Sequence, residues 1–269
     1  MRSQPGASTA YPEPYDTLAP TYDRLDDWIV RAWGEKPRPE RVDFLQELWA
    51  GQAAPVSDVL EVCCGTGLVL EEIARRGYRV TGLDRSAPML EVARARLGDD
   101  VPLVRAELPD IPMEETFDAV VCVGAALNYM PDEGELEKTF RSVGSVLRPG
   151  GSFVFDVLSR RMMDGHAGSS VWSADLGDFT FIWKFDNHPS GAYCDASYTQ
   201  FLRTGDAQAP EHAEYTVTRE LHRLFTLAGD TIRGAARRAG LVCTGVHDNY
   251  TPAPATDATL YETWAFTRK

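Results

Sequence analysis

The residues with the most chemical content form one short run, Val59-Leu60-Glu61-Val62-Cys63-Cys64-Gly65-Thr66-Gly67, followed further along by an acid, Asp84. An apolar strand runs into a Gly-X-Gly turn that opens a helix, and a second strand ends at Asp84. Gly65 and Gly67 would let backbone amides approach a ligand closely, and Asp84 could accept hydrogen bonds from both hydroxyls of a ribose. The pattern is that of a nucleoside site. A dinucleotide fingerprint would place a third glycine at position 70, where helix packs closely on strand, and the chain has Leu70 there. That counts against NAD. Glu61 suits a cationic or amino-bearing ligand and would repel a pyrophosphate.

The elements that must position these residues follow from the apolar periodicity. Helical spacing over 15–25 is interrupted by Pro20, which predicts two short turns in place of one helix. A helical stripe at 41–49 follows a Pro-rich break. Strands are expected at 58–64, 78–83, 101–105, 117–123 and 152–158, alternating with helices at 67–76, 87–97 and 133–147. Strand and helix in strict alternation, with near-continuous apolar strands such as Ala119-Val120-Val121-Cys122-Val123, predict an α/β, doubly wound, mostly parallel Rossmann-like sheet. The rhythm changes near 169. Extended pieces at 178–185, 193–203 and 214–225, the first two flanking His188-Pro189-Ser190-Gly191, predict an antiparallel β insertion after the fifth strand. A helix at 228–239 and strands at 241–250 and 259–267 return the chain to the main sheet. The expected organisation is a leader and helical cap at 1–50, a nucleoside-binding domain at 51–168 and 226–269, and an antiparallel lid at 169–225.

Composition limits the partners. With 27 basic and 40 acidic residues the net charge is −13, which would repel phosphate backbones and anionic lipids. Nucleic acid and membrane are therefore not expected as partners. No apolar run approaches the ~20 residues that cross a bilayer, and the first residues lack a signal peptide's pattern. A cytoplasmic protein, monomeric or homodimeric, is expected. The 5 cysteines fit reduced, packed thiols, and without a Cys/His cluster no metal is expected.

The motif resembles that of class I S-adenosylmethionine-dependent methyltransferases of the small-molecule type, and further pieces in order extend the resemblance. Glu61 to Gly67 is similar to the family's acidic, glycine-rich first motif, with Cys63 where glycine is usual. Asp84 matches the ribose-binding acid, with Arg85 and Met89 just after it. Glu107-Leu108 matches the acid and apolar pair that contacts adenine. Phe117 to Val121, then Gly124 and Leu127-Asn128-Tyr129, matches the strand and turn that face the methionine end, and Leu147-Arg148-Pro149-Gly150-Gly151 the turn before the fifth strand. Tyr15 and Tyr22 resemble the tyrosines of an N-terminal cap that closes over the cofactor, and Arg41 falls near the position that would meet its carboxylate. The resemblance implies S-adenosylmethionine as cofactor and methyl transfer to a small-molecule acceptor. Two readings stay open beside it: non-methyl use of the sulfonium, releasing methylthioadenosine, and cofactor binding without catalysis.

Methyl transfer needs a nucleophile held in line with the C–S bond, and a base only where the acceptor atom must lose a proton. His166 and His212 lie in polar stretches, His188 in the hairpin turn and His247 on a late strand. His222 lies in a region that in relatives runs toward the acceptor, and is the candidate base. Tyr22 and Asn128 are the other catalytic candidates, although an asparagine in a turn can simply bond local backbone. Phe179, Phe181, Trp183 and Phe185 share one strand face, which either packs on the main domain or lines a pocket. Tyr129, Trp183, Tyr198, His222 and Arg223 are the acceptor-side candidates.

Overall fold

The computed structural model describes residues 13–165, 170–204 and 214–269. His166, His212, most of the expected leader and residue 169, where the insertion was expected to begin, lie outside the described residues. Helices α1 (Tyr22–Trp33) and α2 (Arg38–Ala50) precede β1 (Asp58–Val62), α3 (Leu68–Arg75), β2 (Arg79–Asp84), α4 (Ala87–Leu97) and β3 (Leu103–Arg105). Then come β4 (Phe117–Cys122), a 3-10 turn (Ala126–Tyr129), α5 (Glu133–Val146), β5 (Leu147–Leu158) and a short α6 (Arg160–Gly165). Strands β6 (Val171–Asp175), β7 (Phe179–Asn187), β8 (Tyr193–Thr204) and β9 (Glu214–Phe225) follow, and α7 (Gly229–Arg238), β10 (Leu241–Asp248) and β11 (Tyr261–Arg268) close the chain.

Seven strands form one sheet in the order β10-β11-β5-β4-β1-β2-β3, parallel except around β11, which runs antiparallel to both β5 and β10. Both faces are covered, so alternate residues serve two cores. Leu60, Val120, Phe153, Phe155 and Phe266 pack on one side with Phe140 of α5 and Ile232 of α7. Val59, Val121 and Val154 pack on the other with Leu45 of α2 and Leu70 and Ile73 of α3. This two-sided burial is why the central strands read as continuous apolar runs. Gly82 on β2 makes the close approach possible: a Cβ there would lie 2.9 Å from Leu70 Cδ2 and 2.7 Å from Leu103 Cδ2. Room for the helix is provided on the second strand and not at position 70.

The other four strands form a separate antiparallel sheet, β6-β7-β8-β9. The expected aromatic face is real: Phe179, Phe181 and Phe185 are buried, and Trp28 of α1 meets Phe181 edge-on with centroids 4.9 Å apart. That contact explains a difference from the expected N-terminus. Pro20 falls in the turn before α1, and the helix then continues unbroken to Trp33 because its apolar side has the second sheet to pack on. Strand β6 and helix α6 were not anticipated. Strand β5 begins at Leu147, through the Pro-Gly-Gly turn, because Leu147 pairs with Phe117 across an irregularity in the ladder.

Candidate active site

The loops after β1, β2, β3 and β4 open onto a cavity of about 550 Å³. In the first loop Cys63 adopts φ +58°, Gly65 +53° and Gly67 +77°. Cys63 therefore occupies a left-handed conformation that glycine adopts freely. The Gly65 N–H donates to Asp84 Oδ2 at 2.8 Å and the Ser86 N–H to Oδ1 at 2.9 Å. Each oxygen retains a lone-pair direction for a ligand, and burial pushes the Asp84 pKa up. Ser86, not Asp84, caps α4, accepting from the Met89 N–H. Met89 and Leu108 form apolar wall, while the Glu107 side chain is 71% exposed at the rim.

Glu61 is 2% exposed and its Oε2 has no hydrogen-bond partner among the described residues. Burial first, and the charge of Asp84 second, raise its pKa well above the ordinary carboxylate value. With Arg41, Cys63 and Gly65 it lines a narrow recess of about 50 Å³. Arg41 lines this recess, but its guanidinium is engaged. It donates to Glu35 at 2.5 Å and to the Lys36 carbonyl at 2.6 Å.

Residues 13–18 form a strap over the larger cavity, to which Glu13, Pro14 and Tyr15 contribute lining. Arg85 holds it from one side, donating to Glu13 and to the Pro14 carbonyl at 3.0 and 3.1 Å. Glu220 of β9 holds it from the other. Its carboxylate accepts from the N–H groups of Tyr15 and Thr17 at 2.7 Å each, from the Leu18 N–H at 3.2 Å and from the Thr17 hydroxyl. Burial pushes the Glu220 pKa up, but hydrogen bonds from His222, Thr17 and the Tyr15 amide outweigh it and the net direction is down.

A smaller chamber of about 80 Å³ lies between the 3-10 turn, α1 and the second sheet, bounded by Trp33, Trp183, Phe185 and His222 among others. Tyr15, Tyr22, Gly124 and Tyr129 border both chambers. Gly124, at φ +87°, donates its N–H to the buried Asp156 Oδ1 at 2.8 Å, which fixes the loop between them. His222 is 2% exposed, with Nε2 3.1 Å from Glu220 Oε2 and Nδ1 2.7 Å from the Tyr129 hydroxyl. The Tyr129 and Tyr15 hydroxyl oxygens are 2.9 Å apart.

Several expected positions have other tasks. Asn128 is fully buried, donating to the Phe225 carbonyl and accepting from the Leu158 N–H at 2.9 Å each. It joins the 3-10 turn to β9 and β5 and lines neither chamber. Gly67 lines neither as well: a Cβ there would meet Leu97 and Ala93 at 3.0 and 3.3 Å, so its requirement is packing against α4. Tyr198 is stacked on Phe181 at 5.7 Å, away from both chambers. Arg223 does line the larger cavity, held by a two-point pair with Asp195 at 2.7 Å. Glu220 is the residue the sequence reading undervalued. Its signal was phase: Glu220, His222 and Leu224 occupy consecutive inward positions of β9, so two polar groups stand where an alternating strand buries apolar ones.

Residues 59–151 match the family model described as a methyltransferase domain. The chain is 25% identical over 237 residues to a Geobacillus sp. (strain WCH70) protein whose name assigns it to the methyltransferases without an acceptor, covering 86% of this chain and 93% of that one. Among solved structures, an S-adenosylmethionine-dependent methyltransferase from Clostridium acetobutylicum superposes with TM-score 0.81 at 20% identity, covering 92% of this chain and 98% of the other. The S-adenosylmethionine-bound structure of CalS10, an amino pentose methyltransferase from Micromonospora echinaspora, superposes with TM-score 0.69 at 22% identity, covering 91% and 97%. Residues 59–151 thus match a methyltransferase domain, the fold is that of S-adenosylmethionine-dependent methyltransferases, and together with the motif order these similarities support a class I S-adenosylmethionine-dependent methyltransferase.

Proposed function

We propose that the larger chamber holds S-adenosylmethionine and that the smaller one receives the reacting end of a small-molecule acceptor. The observation that carries this reading is their common border at Tyr15, Tyr22, Gly124 and Tyr129, where a methyl donor and its acceptor would meet. S-adenosylmethionine supplies an electrophilic methyl group on a sulfonium, so the chain's own contribution is largely orientation and exclusion of water. Asp84 would hold the ribose hydroxyls through the oxygen lone pairs left by its two backbone donors. The unpartnered Oε2 of Glu61, buried in the recess beside Cys63 and Gly65, suits the α-amino group. Met89 and Leu108 would sandwich the adenine, with Glu107 at its amino edge, and the strap would close over the whole.

A chamber of about 80 Å³ admits a ring substituent, not a whole metabolite. The remainder of the acceptor would extend into the larger cavity along Leu221, Arg223 and Phe225, facing Met130 and Pro131. That geometry favours a compact acceptor with an apolar or flat reacting end and a polar tail near Arg223. Titration calorimetry with S-adenosylmethionine tests the first half of the reading. An acceptor screen scored on S-adenosylhomocysteine tests the second. Release of methylthioadenosine in place of S-adenosylhomocysteine would overturn it.

A further inference from the structure

The hydrogen-bonded series Tyr15, Tyr129, His222, Glu220 begins where the two chambers meet and ends at a buried carboxylate. Resting on the functional reading above, we propose that this series is a proton relay, with the Tyr15 hydroxyl as its entry and His222 Nδ1 as its terminus, and that Glu220 is the positioning residue that sets its direction. The tautomer follows from the contacts. Glu220 accepts hydrogen bonds only, so the Nε2 facing it at 3.1 Å carries the imidazole proton. Nδ1 is then the lone-pair nitrogen and must accept from the Tyr129 hydroxyl, 2.7 Å away. With the Tyr129 proton committed to Nδ1, the hydroxyl of Tyr15, 2.9 Å from that of Tyr129, donates to it. Tyr15 keeps a lone pair for a proton arriving at the junction. The opposite tautomer would set two lone pairs face to face across Nε2 and the carboxylate.

The step balances. The acceptor atom attacks the methyl carbon of S-adenosylmethionine, its bond to carbon forms as the carbon–sulfur bond breaks, and the electron pair stays on sulfur in S-adenosylhomocysteine. The acceptor's proton passes to the Tyr15 oxygen, the Tyr15 proton to Tyr129 and the Tyr129 proton to Nδ1. Both tyrosines end as hydroxyls, and an imidazolium remains beside Glu220. After product leaves, the same path returns the proton to water. Burial pushes the Tyr15 pKa up to about 12 and that of Tyr129 well above its ordinary value, which keeps both as hydroxyls able to pass a proton on. The relay therefore serves acceptors whose methylated atom bears a proton that must leave, a hydroxyl or an amine, and gives nothing to a thioether or tertiary amine.

Glu220 gives the relay a second property. The same carboxylate that orients His222 is bonded by Tyr15, Thr17 and Leu18, so the position of the strap and the tautomer of His222 depend on one group.

Long-range proton–nitrogen correlation spectra of the full chain, labelled with ¹⁵N-histidine and saturated with S-adenosylhomocysteine, test the proposal directly. His222→Asn assigns the resonances. The expected result is a neutral Nε2–H tautomer with a hydrogen-bonded Nδ1. In Tyr129→Phe the Nδ1 signal should move to that of an unbonded nitrogen with the tautomer unchanged. In Glu220→Gln, whose amide can donate as well as accept, both tautomers should appear. An Nδ1–H tautomer in the wild-type chain overturns the relay. With whichever member of a panel of primary amines and phenols is turned over, Tyr129→Phe should lower kcat by about 10²–10⁴ with S-adenosylhomocysteine affinity unchanged. A wild-type kcat in that variant also overturns it. A wild-type chain that binds cofactor yet methylates nothing in the panel counts against the functional reading, and the tautomer result then decides the relay separately.

Discussion

Glu61→Gln isolates the proposed amine contact from the rest of the cofactor site. The substitution preserves shape, and the altered oxygen lacks any partner among the described residues, so no internal hydrogen bond of that atom is lost. What changes is charge. A carboxylate–ammonium hydrogen bond contributes about 1.5–3 kcal/mol, which converts to a loss of S-adenosylmethionine affinity of about 10- to 150-fold. Methylthioadenosine, which has no amino acid portion, should bind both forms equally. Proton linkage provides an independent check. In the free chain Glu61 is held above its ordinary value of 4.5 by burial and by Asp84. A bound ammonium favours the ionised form, so the bound pKa is lower than the free one. Binding must then release up to one proton, and affinity must rise with pH between the bound pKa of Glu61 and its higher free-chain pKa. Calorimetry in buffers of different ionisation enthalpy measures that proton. If Glu61→Gln releases as many protons as the wild type, or loses methylthioadenosine affinity to the same degree, Glu61 does not meet the amine.

Asn128→Ala should cost about 2–4 kcal/mol of stability in urea unfolding, since it strips partners from the half-buried Phe225 carbonyl and the buried Leu158 N–H, while the folded chain keeps its cofactor affinity. Cys63→Gly should change stability by less than about 1 kcal/mol, relief at φ +58° offsetting the greater freedom of the unfolded chain, whereas Cys63→Leu should weaken S-adenosylmethionine binding at least about tenfold by calorimetry. Trp183 bounds the smaller chamber and stacks on Trp33 at 5.2 Å, so Trp183→Ala should raise the acceptor KM and leave cofactor affinity unaltered in steady-state kinetics.

What the sequence determined was local and periodic. The doubly wound sheet was legible because strands buried on both faces must be apolar throughout, and because helices at a 3.6-residue period alternate with them over short loops. The nucleoside motif was legible for the same reason: Glu61, Gly65 and Asp84 act through backbone turns at the ends of adjacent strands, and β1 and β2 pair in register from Asp58↔Arg79 to Val62↔Leu83. Tertiary structure decided which polar side chains remain available to a ligand. Arg41 is drawn into a pair with Glu35, and Asn128 is consumed by backbone groups of β5 and β9. Glu220 meets amides about 200 positions earlier in the chain. Periodicity states which face a residue occupies but not what the facing element presents. Because a buried donor or acceptor must find a partner wherever the fold supplies one, the commitments of Asn128 and Glu220 depend on the second sheet meeting the 3-10 turn and the strap, whereas Arg41 finds its partners in the neighbouring residues Glu35 and Lys36.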